Sequence, residues 1–302
     1  MKAALKRARF PLRRSKYSDH VYDDQQHVIL LVLRQYFGMS YREFCDLMEV
    51  CTLLLEELGL DKVPHWTTLQ KFSLRTDMRR LERLLLAFLE EVDVQELHLA
   101  VDSSGFGSTS ASRYYIRTMD LRGNGMKRRS VKRFVKQTMV VDTDKQLILA
   151  LKFRMGPAGD SPDMVRVLKK LGHLPTQIEV VVADKGYDSE ANRRYVHEFL
   201  SSRAVIPVRA GNRPGVKIRG TLRKRQLIDF DREEYDNRVM VETVFSVLKR
   251  MMGPNVLSRG IGTQHKELAF RALAYDVKRI ENLLLFFVGG FLQSCLQRPP
   301  LT

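Results

Sequence analysis

The chain has 302 residues and 44% hydrophobic content, enough to bury the core of one large domain or two modest ones, which excludes a disordered tail protein. Fifty-one Lys and Arg stand against 35 Asp and Glu, and the formal net charge of +16 points to a polyanionic partner, nucleic acid before a membrane surface. Cys45, Cys51 and Cys295 form no CxxC pair, so neither a zinc site nor a disulfide framework is indicated, and a reducing compartment, the cytoplasm with its nucleoid, fits best.

The start, MKAALKRARFPLRRSKY, is basic but lacks the apolar run of a signal peptide, and residues 1–17 read as a disordered arm that touches phosphates. Residues 18–92 read as a helical domain, with helical apolar spacing in VILLVLRQYF, YREFCDLMEVCTLLLEELGL and MRRLERLLLAFLEEV. Ser40 with Glu43 three residues on resembles a capping box, and Pro64 precedes a short segment that starts at Thr67 or Thr68. Helix, turn and polar second helix is the outline of a DNA-binding helix-turn-helix, and small helical packing units look the same, so both readings stand.

From residue 96 the period changes. ELHLAVD (96–102) reads as a strand ending in an acid, and SRYYIRTM (112–119) and VKRFVKQTMVVD (131–142) as strands around the turn signal Gly123-Asn124-Gly125. QLILALKFRM (146–155) adds another. SPDMVRVLKKLG fits a helix with Ser161 as N-cap and Pro162 at its first position. IEVVVAD (178–184) is a nearly continuous apolar strand, SEANRRYVHEFL a helix and RAVIPVR (203–209) a strand. Residues 210–230 are rich in Gly, Arg and Lys without strong periodicity, either a solvated loop or one that tracks a phosphate backbone. NLLLFFVGGFL (282–292) is shorter than the roughly 20 apolar residues that span a bilayer and reads as a buried C-terminal helix, with a tail at 291–302. The fold class predicted is α/β: a mixed sheet covered by helices over 93–290, behind a helical domain.

Ligands gather at the carboxyl ends of strands in open sheets. Asp102 ends LHLAV before the small residues Ser103-Ser104-Gly105, and Asp184 ends IEVVVA before Lys185-Gly186-Tyr187. Two divalent cations about 3.5 to 4 Å apart need further carboxylate to balance their charge, and Glu242 is the third candidate. At 100° per residue with Tyr235 at 0°, Arg238 falls at about 300°, Glu242 at about 340° and Lys249 at about 320°. Met240, Val244, Val247, Leu248 and Met251 fall opposite, between about 120° and 220°, as the core face. The helix starts either at Tyr235 or just after it, with Asp236 or Asn237 capping. Asp102, Asp184 and Glu242 would hold one or two Mg²⁺ ions, and Arg238, Lys249 and Tyr235 would grip phosphate. Asp120, Asp142, Asp144, Asp160 and Asp188 read as turn or cap residues.

Tyr235, Arg238, Glu242 and Lys249 match Y-x2-R-x3-E-x6-K in spacing, and LAVDSSG and VVADKGYDS surround the two aspartates. In these motifs the chain resembles the insertion-sequence branch of the DDE transposases, over roughly residues 96–280. The resemblance implies a ribonuclease H-like fold with the first Asp on the first strand, the second after the fourth strand and the Glu on a later helix. It further implies Mg²⁺ or Mn²⁺ as cofactor, double-stranded DNA at transposon ends and target as partner, cleavage followed by joining of the 3′-hydroxyl, and a homodimer bridging two ends. The 57 residues between Asp184 and Glu242 leave no room for the large β-domain that some members insert there. A transposase-derived DNA-binding protein without chemistry and a structure-selective nuclease on the same fold are the alternative functions.

Overall fold

The computed structural model describes residues 1–13, 21–92, 94–108, 134–156, 159–172, 174, 176–209 and 218–296. The predicted strand SRYYIRTM and the turn at 123–125 lie outside them, as does Asp120. Helices α1 (Lys2–Arg7), α2 (Asp24–Tyr36), α3 (Tyr41–Val50), α4 (Thr52–Leu58), α5 (Trp66–Arg75) and α6 (Met78–Leu89) form the N-terminal helical region. The capping box holds at α3: the Ser40 side chain accepts from the Glu43 N–H while the Glu43 carboxylate accepts from the Ser40 N–H. Asp23 and Gln26 repeat the device at α2. The short segment after Pro64 starts at Trp66, one residue earlier than predicted, with His65 as its cap.

The basic arm is a correction. Its first residues form α1, whose Ala4 and Leu5 are wholly buried, because the KAAL spacing places two small apolar residues against the rest of the core.

Six strands make one mixed sheet: β1 (Glu96–Ser108), β2 (Phe134–Asp142), β3 (Ile148–Met155), β4 (Gln177–Ala183), β5 (Arg203–Val205) and β6 (Asn255–Val256). The order is β3-β2-β1-β4-β5, with β6 pairing the far end of β1. β1 is antiparallel to β2 and parallel to β4, and β4 is parallel to β5. β4 is an apolar run buried over most of its length, and β2 is buried along nearly all of its length although it carries Lys136, Gln137, Thr138 and Asp142, as expected for central strands covered on both faces.

Helices α7 (Ser161–Leu168), α8 (Glu190–Arg194), α9 (Thr221–Ile228), α10 (Arg232–Asp236), α11 (Val239–Met252) and α12 (Ile261–Leu296) complete the chain. Ser161 is the first residue of α7 rather than its cap; Asp160 takes the cap position without a side-chain bond, and Pro162 sits in the first turn as expected. The helix predicted after Asp184 ends in a π segment, Tyr195–Phe199. The strand predicted over 203–209 stops at Val205. Within the predicted loop 210–230, Thr221–Ile228 is helical. The C-terminal helix continues to Leu296, where a tail was expected, and Leu284 within its apolar stretch is half exposed rather than buried.

Leu30 and Leu31 of α2, Leu81 and Phe88 of α6, Leu151 of β3 and Phe270 and Leu273 of α12 belong to one buried apolar cluster. Helical region and sheet thus share a core. The mixed sheet, the flanking helices and the preceding helical region are the fold class that the sequence predicts. Among the described residues no helix is long and apolar enough to cross a membrane.

Candidate active site

β1 and β4 lie side by side as far as the pair Val101–Ala183, and there the pairing stops. The next residue on each is an aspartate. Asp184 leaves the sheet as the first residue of a turn that continues as the 3-10 segment Lys185–Tyr187. Asp102 does not end its strand, contrary to expectation: β1 runs on to Ser108, with Asp102 opposite Met139 of β2. What ends at Asp102 is the ladder to β4, so both acids directly follow the last pair of that parallel ladder, at the carboxyl end of β4.

Burial raises the Asp102 carboxyl to about 6, against a bond from the Ser103 N–H and the Arg238 charge, while the charges of Glu242 and Asp184 push it further up. Those perturbations place Glu242, Asp184 and Arg238 around Asp102. The order of elements carrying the three acids, first strand, end of the fourth and a later helix, is the one the resemblance implies.

α11 lies over β1. Phe245 packs near Phe106 with ring centres 6.5 Å apart, and Lys249 donates to the Ser104 hydroxyl at 2.7 Å with its ammonium 5.1 Å from the Phe106 ring. Asp102, Ser104 and Phe106 alternate along β1 and so share the face that α11 covers. Burial lowers the pKa of Lys249. Arg238, at the N-cap of α11, donates to the Glu242 carboxylate at 2.5 Å, with Glu242 48% and Arg238 21% exposed.

For Tyr235 the second of the two expected helix starts holds, the helix beginning after it, with Arg238 rather than Asp236 or Asn237 at the cap position. Tyr235 lies on α10, a separate five-residue helix capped by Asp231, and the link to α11 uses three-residue hydrogen bonds such as Arg238 N–H to the Tyr235 carbonyl and Val241 N–H to the Arg238 carbonyl. The tighter winding breaks the 100° phase, so Tyr235 stands beside the stripe. Its ring still lies 5.6 Å from the Arg238 guanidinium carbon and 5.4 Å from the Phe230 ring. The core face is also rotated from the predicted one: Val241, Val244, Phe245 and Leu248 are buried, whereas Met240, Val247 and Met251 are half exposed.

Several contributing residues escaped the sequence reading. Tyr187, 1% exposed, shares a hydrogen bond of 2.6 Å with Ser103, whose hydroxyl is also 2.8 Å from that of Thr138. Three elements are thereby joined on the face of β1 opposite α11. Gln137, opposite Ser104 in the ladder, is buried with both amide atoms unpartnered. Asp160 is not only a cap residue: it is ion-paired with the buried Lys136, and a side chain at Gly186 would touch both its carboxylate and that of Asp184. Asp188 caps the 3-10 segment, its N–H donating to the Lys185 carbonyl, and does more than that. It is a buried anion held by Arg193, Arg223 and the Arg209 N–H. Only the string DKGYDS signalled Tyr187 and Asp188, without indicating what either holds.

Among the described residues no three His, Cys, Asp or Glu side chains stand close enough to hold one metal ion together. The donor set nevertheless suits a hard cation. A desolvated carboxyl flanked by two further acids is short of positive charge, and oxygen ligands are what Mg²⁺ takes. Arg238 engages one oxygen of the Glu242 carboxylate, Oε1.

None of the curated proteins compared matches the chain. A solved structure, a piggyBac transposase synaptic complex with hairpin DNA, matches with a TM-score of 0.41 and 11% identity over 100% of this chain and 79% of that chain, too slight a likeness to add to the assignment. The family described as transposase DDE domain matches residues 94–277, more than half of the chain and the whole stretch from β1 into α12. The chain belongs to the transposase DDE domain family.

Proposed function

We propose that this transposase serves an insertion sequence: that it cuts DNA at the ends of its element and joins the freed 3′-hydroxyl to target DNA, with Asp102, Asp184 and Glu242 as metal-holding acids. What supports the reading most is that Asp102 and Asp184 directly follow the last pair of the β1–β4 ladder, Val101–Ala183, while α11, which bears Glu242, packs on the same strand through Lys249 and Phe245. Family membership and a net charge of +16 support DNA as the substrate.

The roles follow from the chemistry of each side chain. The three carboxylates offer oxygen ligands to one or two Mg²⁺ or Mn²⁺ ions. Metal bound there would supply Lewis-acid activation of a water or 3′-hydroxyl and charge neutralisation at the leaving oxygen of an in-line displacement. Arg238 presents a planar fork for non-bridging phosphate oxygens, and phosphate is the anion that can replace Glu242 as its partner. Lys249, held by Ser104, places a point charge on the same face. Tyr235 offers its hydroxyl beside Arg238. Phosphate on Arg238 and metal on Glu242 favour one another in this scheme, because each satisfies a group that the other has released. The protein acts in the cytoplasm at the nucleoid, as a homodimer on two DNA ends, with residues 18–92 as a further DNA-binding region.

The test is cleavage and joining, with Mg²⁺, of a DNA duplex carrying the sequences that flank the gene. Wild type should release 3′-hydroxyl ends and insert them into a second duplex, and Asp102→Asn, Asp184→Asn and Glu242→Gln should each lower the rate at least about a hundredfold. Cleavage that persists in all three variants would refute the site, and cutting indifferent to the flanking sequence would favour a structure-selective nuclease.

A further inference from the structure

Helix α9 is not held by apolar packing, since none of its residues is buried and Leu227 and Ile228 are exposed. Charge holds it. Asp188, its side chain 1% exposed, accepts two bonds from Arg223, at 3.0 Å from Nε and 2.6 Å from Nη2, while Arg193 and the Arg209 N–H take up the rest of the carboxylate. Glu190 caps the helix from outside, accepting from the N–H groups of Leu222 and Arg223 at 3.1 Å each and from the Thr221 hydroxyl. A short helix with a cation in its first turn opposes its own dipole, and the Glu190 carboxylate offsets that. Gly220, at φ +98, lets the chain come against Glu190 where any side chain would collide with it.

The segment 218–228 contains Arg219, Arg223, Lys224 and Arg225 and no acid. Arg223 is spent on Asp188. Arg219, Lys224 and Arg225 are exposed, and none makes an ion pair among the described residues. Asp188, which closes the turn after Asp184, and Glu190, the first residue of α8, fix the helix, and Tyr187 within that turn is bonded to Ser103 next to Asp102. These contacts link α9 to the turn that follows Asp184 and, through Tyr187, to β1 beside Asp102.

We propose that α9 is a sequence-independent docking surface for the DNA backbone beside the active site, and that Asp188 is the residue that positions it through Arg223. The choice of DNA as partner rests on the transposase reading; the charge and its clamp do not.

The experiment is fluorescence-anisotropy titration of a 20-base-pair duplex of arbitrary sequence, without divalent metal, over a series of KCl concentrations. Removing three phosphate contacts in R219Q/K224Q/R225Q should make the plot of log affinity against log salt shallower by about 2 to 3, and lower the affinity about 10- to 100-fold at low salt. Arg223→Lys separates clamp from contact. It keeps the charge but not the two-bonded fork, so affinity should fall as far as in Arg223→Gln, whereas a direct phosphate contact by Arg223 would survive as lysine. An unchanged salt slope in the triple variant overturns the surface, and wild-type affinity in Arg223→Lys overturns the clamp. Mn²⁺ titration of the wild-type protein reports separately on the metal site, so failure of the transposase chemistry and failure of the α9 surface give different results.

Discussion

The hydroxyls of Tyr187 and Ser103 lie 2.6 Å apart, and this bond ties the turn that begins with Asp184 to β1 one residue beyond Asp102. The buried ring of Tyr187 fills the space under the turn, while its hydroxyl fixes how far the turn stands from the strand. Tyr187→Phe keeps the ring and removes only that bond. It should cost about 1 kcal/mol in urea unfolding and weaken Mn²⁺ binding by about tenfold, since partners behind a metal ligand set its position. Unchanged Mn²⁺ affinity in calorimetry would show that the turn is held without it.

Arg238 donates to the Glu242 carboxylate, which is 48% exposed. An ion pair this exposed is worth at most about 1 kcal/mol, or roughly fivefold in an equilibrium. Arg238→Gln should therefore raise Mn²⁺ affinity of the DNA-free protein by up to about fivefold while lowering DNA cleavage. A variant that loses metal affinity and cleavage together would assign Arg238 to holding the fold of the site instead.

Metal binding should depend on pH through Asp102. Its carboxyl, raised to about 6 chiefly by burial, must lose its proton before it can hold a cation. Mn²⁺ affinity should be level above pH 7 and fall below pH 6 by up to about tenfold per pH unit for a single coupled proton. Affinity that stays level down to pH 4.5 would place the ion elsewhere.

Asp142 gives a pH effect away from the site. Burial raises its carboxyl to about 6, and one of its oxygens has no partner while the other accepts from the Lys145 N–H. A carboxyl raised in the folded state contributes stability below its unfolded pKa of about 4 and loses it as pH rises through 6. Asp142→Asn retains the acceptor for Lys145 and removes that charge. The variant should be more stable than wild type by about 1 to 3 kcal/mol at pH 8 and nearly equal to it at pH 4, as read by thermal unfolding at both pH values.

The strands that bring Asp102 and Asp184 together were legible because each is an apolar run buried by its neighbours, so periodicity and burial agree. The continuation of β1 through Asp-Ser-Ser-Gly-Phe-Gly-Ser was not. Its small polar residues read as a turn, and only the ladder to β2 and the pairing with β6 keep it extended. Helix α9 was illegible for a related reason: it has no buried face, so no apolar period could announce it, and the carboxylates that hold it lie more than 30 residues earlier. Spacing placed Arg238, Glu242 and Lys249 on one helix correctly. It left two helix starts open around Tyr235, because the shift to three-residue winding between α10 and α11 leaves no mark in the sequence.

Mn²⁺ titration by calorimetry of wild type, Asp102→Asn, Asp184→Asn and Glu242→Gln asks whether the three acids make one site, Glu242 being the member that also pairs with Arg238. Expected is a weakening of at least about tenfold in each of the three variants, with the helical circular dichroism of all four proteins unchanged. Wild-type Mn²⁺ affinity in Glu242→Gln, alongside its loss in the two aspartate variants, would contradict a shared site and leave Glu242 as no more than the salt-bridge partner of Arg238.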